Sequence, residues 1–477
     1  MLKKTFLLLS VPISLVYLKA QDVSVITNTV DIYSNNSING TAKYNSMAGS
    51  MGALGGDISS ASVNPAGIGV FIASDVNLTL GINSNKNKTT LGGNSSNYTI
   101  NKTDLNNSGG VLTINLGDTN SKWKFVNIGI NYSTQSIDNY IETRGNQNIQ
   151  IASTPTETIN SSNYTLAGHW YDRYGDISKT SFTVGANYDN RLYFGAGLNF
   201  HNSYLNQYDS ANFGNSNSLI RFDKQFTDFE EKADGFSANI GVIAKLSNQF
   251  RLGAAIETPT WWNMDRYYNE YYLNSNLYDR NYEDRKLSTP MKASISAAFV
   301  PSKNFALNVD FIQGITKPKY KEYGDAEAEL NDFFKETYKN SSEVRVGAEY
   351  RIMDFRLRGG YAYQGNSFDN MSMLSYNDNG STSNQSYSNL FVGKRNIIGA
   401  GIGYDFKAFY IDASYQNITS TYSSPFLFGK QMNAPDEPYR TSGYYAPNGT
   451  ELLSDAQAVS KVKNKRDNFF ITLGWKF

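Results

Sequence analysis

From Val76 to the end of the chain, apolar residues alternate with polar or small ones, the period of a strand whose two faces meet different surroundings. Val76, Leu78, Leu80 and Ile82 alternate with Asn77, Thr79 and Gly81. The same period marks Val126–Tyr132, Phe182–Tyr188, Leu192–Phe200, Phe236–Leu246, Phe250–Ile256 and Met291–Phe299. It continues through Phe305–Phe311, Val344–Tyr350, Phe355–Tyr363, Ile398–Tyr404 and Phe409–Tyr415. The last segment, Asn468–Phe477, sets Phe469, Ile471, Leu473, Trp475 and Phe477 on one face. With a weaker segment at Gly110–Leu116, this makes about 14 strands of the length that a tilted barrel wall requires.

The links between segments alternate as well. Short ones fall at Gly117–Ser121, Asp189–Asn190, Ser247–Gln249, Pro301–Lys303, Met353 and Phe406. Between them lie long polar stretches at 85–107, 135–176, 204–233, 260–286, 317–341, 365–393 and 420–465. Tight turns on one side and long loops on the other predict an all-β fold, a 14-stranded antiparallel transmembrane β-barrel over 74–477. Ser181, Thr183 and Gly185, like Ser237, Asn239 and Gly241, would line the lumen, with the aliphatic and aromatic faces toward lipid. A soluble lipocalin-like barrel would reverse those faces, and the period alone does not choose between them. The terminal Phe477 and the tyrosines and phenylalanines near strand ends favour the membrane.

Composition points the same way. Only 18% of residues are charged, mean hydropathy is −0.46, and there are 34 Tyr and 27 Phe but no Cys. A barrel needs no disulfides, because its wall pairs every backbone group strand to strand. After the start of the chain, no apolar run approaches the ~18 residues of a membrane helix. The first 20 residues combine Lys3 and Lys4, an apolar run from Phe6 to Tyr17, and a small Ala20 before Gln21. They read as a cleaved export signal, which predicts the bacterial outer membrane. Lys+Arg and Asp+Glu are equal at 43 each, so nucleic acid is not an expected partner.

Residues 21–73 have another texture, with no sustained alternation. Gly49, Gly52, Gly55, Gly56 and Gly67 suit compact coil and short helical turns in a confined space. Asn64 before Pro65 and Ala66 reads as a cap with Pro at the first helical position. A flexible linker is the alternative, but Met47, Met51, Leu54, Ile58 and Val63 suit packing. Gly52 to Gly67, with its Asn64-Pro65-Ala66 triplet, resembles the amino-terminal hatch of the outer-membrane long-chain fatty acid and aromatic hydrocarbon transporter family. Leu54-Gly55-Gly56-Asp57 resembles the form found in Bacteroidetes members.

That resemblance implies a hatch plugging the lumen and passive uptake of small hydrophobic molecules with lateral exit. The family's kinked third strand would fall near 122–134, making Gly129 and Asn131 candidates for a wall opening, although glycine in a strand often reflects only close packing. Its outer capture groove would fall at 204–233 and 260–286, where Trp261, Trp262, Tyr267, Tyr268, Tyr271 and Tyr272 are candidates. The bland alternative is that the tryptophans belong to an interfacial aromatic belt and the tyrosines pack the loop on itself.

Enzymatic chemistry finds little to work with. His169 and His201 are the only histidines and read as polar loop or rim residues. No phosphate loop or cysteine cluster exists, so no catalytic residue, metal or cofactor is expected. Expected partners are a hydrophobic small molecule, outer-membrane lipid and lipopolysaccharide, the last through Lys461, Lys463, Lys465 and Arg466 unless these form a solvated loop. The long segments 365–393 and 420–465 keep a second class open, a non-transporting barrel subunit of a protein-secretion or surface complex. A general aqueous porin is disfavoured by the hatch.

Overall fold

A strand left alone presents unpaired N–H and C=O groups along both edges, and the wall of this chain has none because its last strand pairs with its first. The computed structural model describes residues 23–477 except 36–37, 118–120, 155–162, 216–217, 274, 276–277, 428–430, 434–437 and 455, so the expected leader lies outside the described residues. The wall comprises β1 (Asp75–Leu91), β2 (Asn94–Asn115), β3 (Trp123–Ser136), β4 (Asn163–Tyr188), β5 (Leu192–Gly214), β6 (Phe229–Lys245) and β7 (Phe250–Glu257). It continues with β8 (Lys292–Ser302), β9 (Phe305–Gly314), β10 (Ser342–Ile352), β11 (Phe355–Gln364), β12 (Arg395–Asp405), β13 (Phe409–Phe426) and β14 (Ala458–Lys476). Each pairs antiparallel with the next. β14 returns to β1, with Trp475 opposite Val76 and Phe469 opposite Ile82. The Phe477 carbonyl accepts from the Ser74 N–H at 3.0 Å, which carries the seam to the last residue.

Each alternating segment read from sequence falls in one of these strands to within one residue at either end. The apolar set faces outward: Leu78, Ile130, Val184, Ile240, Ile295, Ile402 and Ile471 are exposed. The polar set faces inward, and Thr79, Asn127, Thr183, Ser237, Asn308 and Thr472 are buried. Exposed Trp123, Phe194, Phe250, Phe355 and Trp475 ring the short-turn end. Exposed Phe200, Trp261, Phe311, Tyr361 and Phe469 ring the other, so aromatic girdles border the apolar band on both sides, as lipid interfaces favour. Among the described residues, no helix is long and apolar enough to cross a membrane. The turn between β4 and β5 uses Asp189 and Asn190, both at positive φ (56° and 53°), which matches the twist of the strands it joins.

The long polar stretches differ from the expected loops. Much of 85–107 and 204–233 is strand, and β4 and β5 run for 26 and 23 residues. Outside the apolar band both faces of a strand are polar, so pairing continues where the hydrophobic period has vanished. Trp261–Tyr271 and Tyr278–Ser288 form a hairpin that extends the wall beside β6. Residues 317–341 hold a helix over Asp325–Thr337, whose Leu330, Phe333, Phe334 and Thr337 fall on one buried face.

Residues 23–35 and 38–71 lie inside the ring. Two short helices, α1 (Val23–Asn28) and α2 (Ala42–Ser46), and 3-10 turns at Ile58–Ser62 and Pro65–Val70 are almost wholly buried. The segment is fastened to the wall at many heights. The Ala42 N–H donates to Thr472 Oγ1 (2.7 Å), Ser50 Oγ to the Asn308 carbonyl (3.0 Å), Asn64 Nδ2 to the Val242 carbonyl (3.1 Å), and Asn127 Nδ2 to the Ile68 carbonyl (2.8 Å). Such closeness needs wall positions without side chains. A Cβ at Gly185 would lie 2.5 Å from the Gly69 nitrogen, at Gly253 2.7 Å from the Gly52 oxygen, and at Gly347 2.7 Å from the Met47 oxygen. At Gly195 and Gly360 the backbones at Pro65 and Met47 come closer still.

Gly195→Val should therefore expel the Pro65 turn while leaving the ring paired. The variant is expected to keep the heat-dependent gel mobility of a closed barrel but to lose protease protection around residues 60–70. Protection equal to the parent protein would show that the wall glycines do not seat this segment.

Candidate functional site

Above α2, the N-terminal segment crosses the lumen and divides it. Asp31, Asn35 and Asn39 border chambers on both sides, one of about 1470 Å³ counting its open mouth and one of about 1220 Å³. The first is lined by aliphatic and aromatic groups including Ile38, Ile100, Ile141, Phe391, Ile418 and Phe470. Amides such as Gln364, Gln416 and Asn468 interrupt that lining. The second carries Lys179, His201, Glu257, Lys292 and Arg345 and is the more polar.

A charge cluster anchors the divider. Asp31 Oδ2 accepts from Arg173 Nη2 at 2.7 Å, and its other oxygen accepts from Arg395. Arg173 is 1% exposed and also donates to the Ile137 carbonyl (3.0 Å) and Asn28 Oδ1 (3.1 Å). Asn28 Nδ2 in turn donates to Gln207 Oε1 at 3.0 Å. Arg466 borders the same chamber and acts electrostatically on the Asp31 carboxylate. Burial alone would raise the pKa of Asp31, but Arg173, Arg395 and Arg466 outweigh it and hold the carboxyl well below the usual carboxylate range. Three guanidinium groups thus surround one carboxylate supplied by the N-terminal segment.

Two further ties hold the segment. Tyr33 OH donates to Glu231 Oε1 at 2.5 Å, and Arg266 donates to Glu231 Oε2 through Nη2 (2.6 Å) and Nε (2.9 Å). Asn39 Nδ2 donates to the Thr134 carbonyl at 2.6 Å and more weakly to the Asn106 carbonyl at 3.5 Å.

The sequence-derived candidates are distributed as follows. Gly52, Gly55, Gly56, Asn64, Pro65, Ala66 and Gly67 come together where the Gly56 N–H donates to the Gly67 carbonyl (3.1 Å) and Asn64 Nδ2 to the Gly52 carbonyl (2.8 Å). Asn64 Oδ1 caps the following turn by accepting from the Ala66 N–H at 3.0 Å. Gly49, at φ 72°, turns the chain beside Arg345. The aromatic set does not form one groove, because strand alternation splits it. Trp261 and Tyr267 are exposed on the outer face, while Trp262 is buried with its ring centroid 5.0 Å from that of Tyr33. Tyr268 sits against Phe226. Tyr271 and Tyr272 line an open depression of about 970 Å³ at the rim, together with Tyr208 and Tyr278.

Gly129 and Asn131 occupy a wall without a break. β3 stays in register with β2 and β4 through both residues. Ile58 Cδ1 occupies the space beside Gly129, 3.0 Å from where a Cβ would stand, and Asn131 Oδ1 accepts from Asn107 Nδ2 at 3.0 Å. The neighbouring irregularity is a bulge between β1 and β2. The register shifts between Thr79 and Leu80, leaving Asn106 as an extra residue whose buried side chain borders the first chamber. His169 is buried against Phe426, its Nε2 2.9 Å from Asp209 Oδ1, and His201 Nε2 lies 3.1 Å from Ser237 Oγ. Sequence reasoning missed Asp31, Arg173, Arg395 and Arg466. A signal existed for two of them, since Arg395 and Arg466 share the inward register of Ile397 and Asn468, where small or neutral polar residues are the rule.

No protein-family model and no curated protein matches the chain. Solved structures do. A FadL homologue from Pseudomonas aeruginosa aligns at TM-score 0.56 and 14% identity over 92% of this chain and 99% of that one. The chain has the fold of that barrel. The toluene transporters TodX of P. putida (0.53, 11%) and TbuX of Ralstonia pickettii (0.52, 12%) align over the same shares of each chain. At these identities the likeness concerns architecture, and residue roles rest on the geometry above.

Removing the Asp31 charge leaves Arg173 buried without its counter-ion, a loss of about 3–5 kcal/mol for such pairs. Asp31→Asn should speed hydrogen exchange across residues 23–39 while exchange in β1–β14 is unchanged. Because the Asp31 pKa is lowered on folding, its contribution is complete above the usual carboxylate value of about 3.9 and fades only as pH falls below it. The protection factors of this segment, with the intrinsic pH dependence of amide exchange divided out, should be the same at pH 8 and pH 5 and fall below about pH 4. A fall in protection between pH 8 and pH 5 would show that another group holds it.

Proposed function

We propose that the protein is an outer-membrane channel for passive uptake of small hydrophobic molecules, and that its solute carries an anionic head on an apolar tail. The observation that supports this reading is the wall of the first chamber at Asp31, where apolar side chains meet a cluster in which three guanidinium groups act on one carboxylate. A carboxylate from a fatty acid could take the place of Asp31 on Arg395 and Arg466, a bidentate geometry guanidinium favours. The tail would lie along Ile38, Ile418 and Phe470.

Exit is proposed to be lateral, because apolar surface kept from water is worth about 25 cal/mol per Å². The seam beside the Asn106 bulge is better placed for it than Gly129 and Asn131. A bulge breaks ladder pairing and bends the strand, Asn106 borders the chamber, and Asn39 of the divider binds there. Displacing Asp31 would loosen residues 31–39 and with them the Asn39 tie.

A second reading, a non-transporting subunit of a secretion or surface complex, has one observation in its favour. The outer segments carry their own apolar core, including Leu166, Phe213, Phe222, Tyr444 and Leu452, and so present a firm outer surface to a partner.

The test is uptake of labelled oleate and labelled toluene by cells lacking other hydrophobic channels. The parent protein should raise oleate uptake well above toluene uptake, and deleting Asn106, which restores a continuous β1–β2 ladder, should reduce it at least tenfold with the barrel intact. No stimulation of either solute, with a stoichiometric protein partner in pull-downs, would favour the second reading.

A further inference from the structure

On the outer face of the wall, the girdle residues Ile82 and Phe469 stand opposite each other in β1 and β14. The next outward rung is Ser84 and Asp467, followed by Lys86 opposite Lys465, Lys88 opposite Lys463, and Thr90 opposite Lys461. All five lysines are exposed. Directly opposed residues in an antiparallel pair lie about 4.5–5.5 Å apart at Cβ, and like charges there are destabilising. The flanking strands bring no relief: Thr99 and Asn97 of β2 face Lys86 and Lys88, while Thr419, Thr421 and Ser423 of β13 face Lys465, Lys463 and Lys461. Asp467 takes Lys465 Nζ at 2.9 Å. Among the described residues, Lys86, Lys88, Lys461 and Lys463 form no ion pair.

We infer that this lysine ladder binds the phosphorylated saccharide headgroup of an outer-leaflet glycolipid. The inference rests on the membrane reading above. Charge complementarity calls for a polyanion, and height selects which. Lys86 and Lys465 stand four residues beyond the girdle and Lys461 eight, which at about 3.4 Å per residue and a tilt near 40° is roughly 10 and 20 Å above it. Glycerophospholipid headgroups extend only about 5–8 Å beyond the hydrocarbon. They end below the first lysine rung, whereas a sugar headgroup bearing phosphates or acidic sugars reaches the whole ladder. Rungs repeat about 7 Å along each strand and about 5 Å across, so several phosphates can be held at once.

The full chain, purified in detergent and reconstituted into nanodiscs, should retain bisphosphorylated lipid A carrying its inner core when extracted and weighed by native mass spectrometry. Retention should fall at least tenfold in K86Q/K88Q/K463Q and in 0.5 M NaCl, persist in K86R/K88R/K463R, and remain at parent level in K319Q/K321Q, where the lysines lie elsewhere. The glutamine variant should melt no lower than the parent in glycolipid-free detergent, which separates lost binding from misfolding. Enzymatically dephosphorylated glycolipid and phosphatidylglycerol should not be retained, and inorganic phosphate at equal concentration should not compete. Equal retention by the glutamine variant, or equal retention of phosphatidylglycerol, would overturn the assignment. A chain that failed to enter nanodiscs at all would count against the membrane reading instead.

Discussion

Pairing of β14 with β1 is the constraint on which the rest depends. With it, each wall strand has two neighbours and no edge, and the backbone can sit in hydrocarbon without an unsatisfied donor or acceptor along the wall. Without it, β1 and β14 would each expose a row of polar groups and the lumen would open along a seam. The chain spends its last residues on this closure, down to the Ser74–Phe477 hydrogen bonds. Closure also decides the side-chain chemistry. One face of every strand meets an apolar surround and the other an enclosed interior, so a strict period of two is the cheapest way to satisfy both.

The interior is then a polar surface facing a polypeptide rather than water. Ser, Thr and Asn on the inward face bond to backbone groups of residues 40–70, and wall glycines let the two backbones meet. This is a different solution from a hydrophobic core. Buried polar groups cost little when each has a partner, and these partners are supplied by irregular backbone that has few internal bonds of its own. Farther out, apolar packing takes over: Val25, Ile26 and Val30 of the segment meet Leu330, Phe333 and Phe334 of the helix Asp325–Thr337.

The wall was legible because lipid and lumen impose opposite preferences on neighbouring residues, so Leu78 and Thr79 announce their faces by type. The polar extensions were not, because Asn85 to Lys88 meet polar surroundings on both sides and pairing there leaves no mark on composition. The split of Trp261 from Trp262 did not follow from the preceding strand, because the outward residues are even-numbered in Phe250–Ile256 and odd-numbered at Trp261, which pairs beside Phe236, and read as a loop the run invited a single aromatic surface. Asp31 was hidden for another reason. Its partners are 142 and 364 residues away in sequence, and their meeting is a product of ring closure rather than of any local pattern.

The Asp31 cluster also limits what kind of solute can move the divider. A ligand shifts a conformational equilibrium only by its differential affinity for the two states. A neutral ring resting on Ile418 or Phe470 gains the same contact whether or not Asp31 holds its arginines, and so has no leverage on residues 31–39. An anion competes for the same guanidinium groups and binds better once Asp31 has left. On the uptake reading proposed above, the carboxylate of the segment would act as a built-in competitor, and Arg466, which borders the chamber from β14, would give an incoming anion a first foothold before Arg395 changes partner. If the divider answers to its cargo at all, the arrangement requires that the cargo be charged at one end.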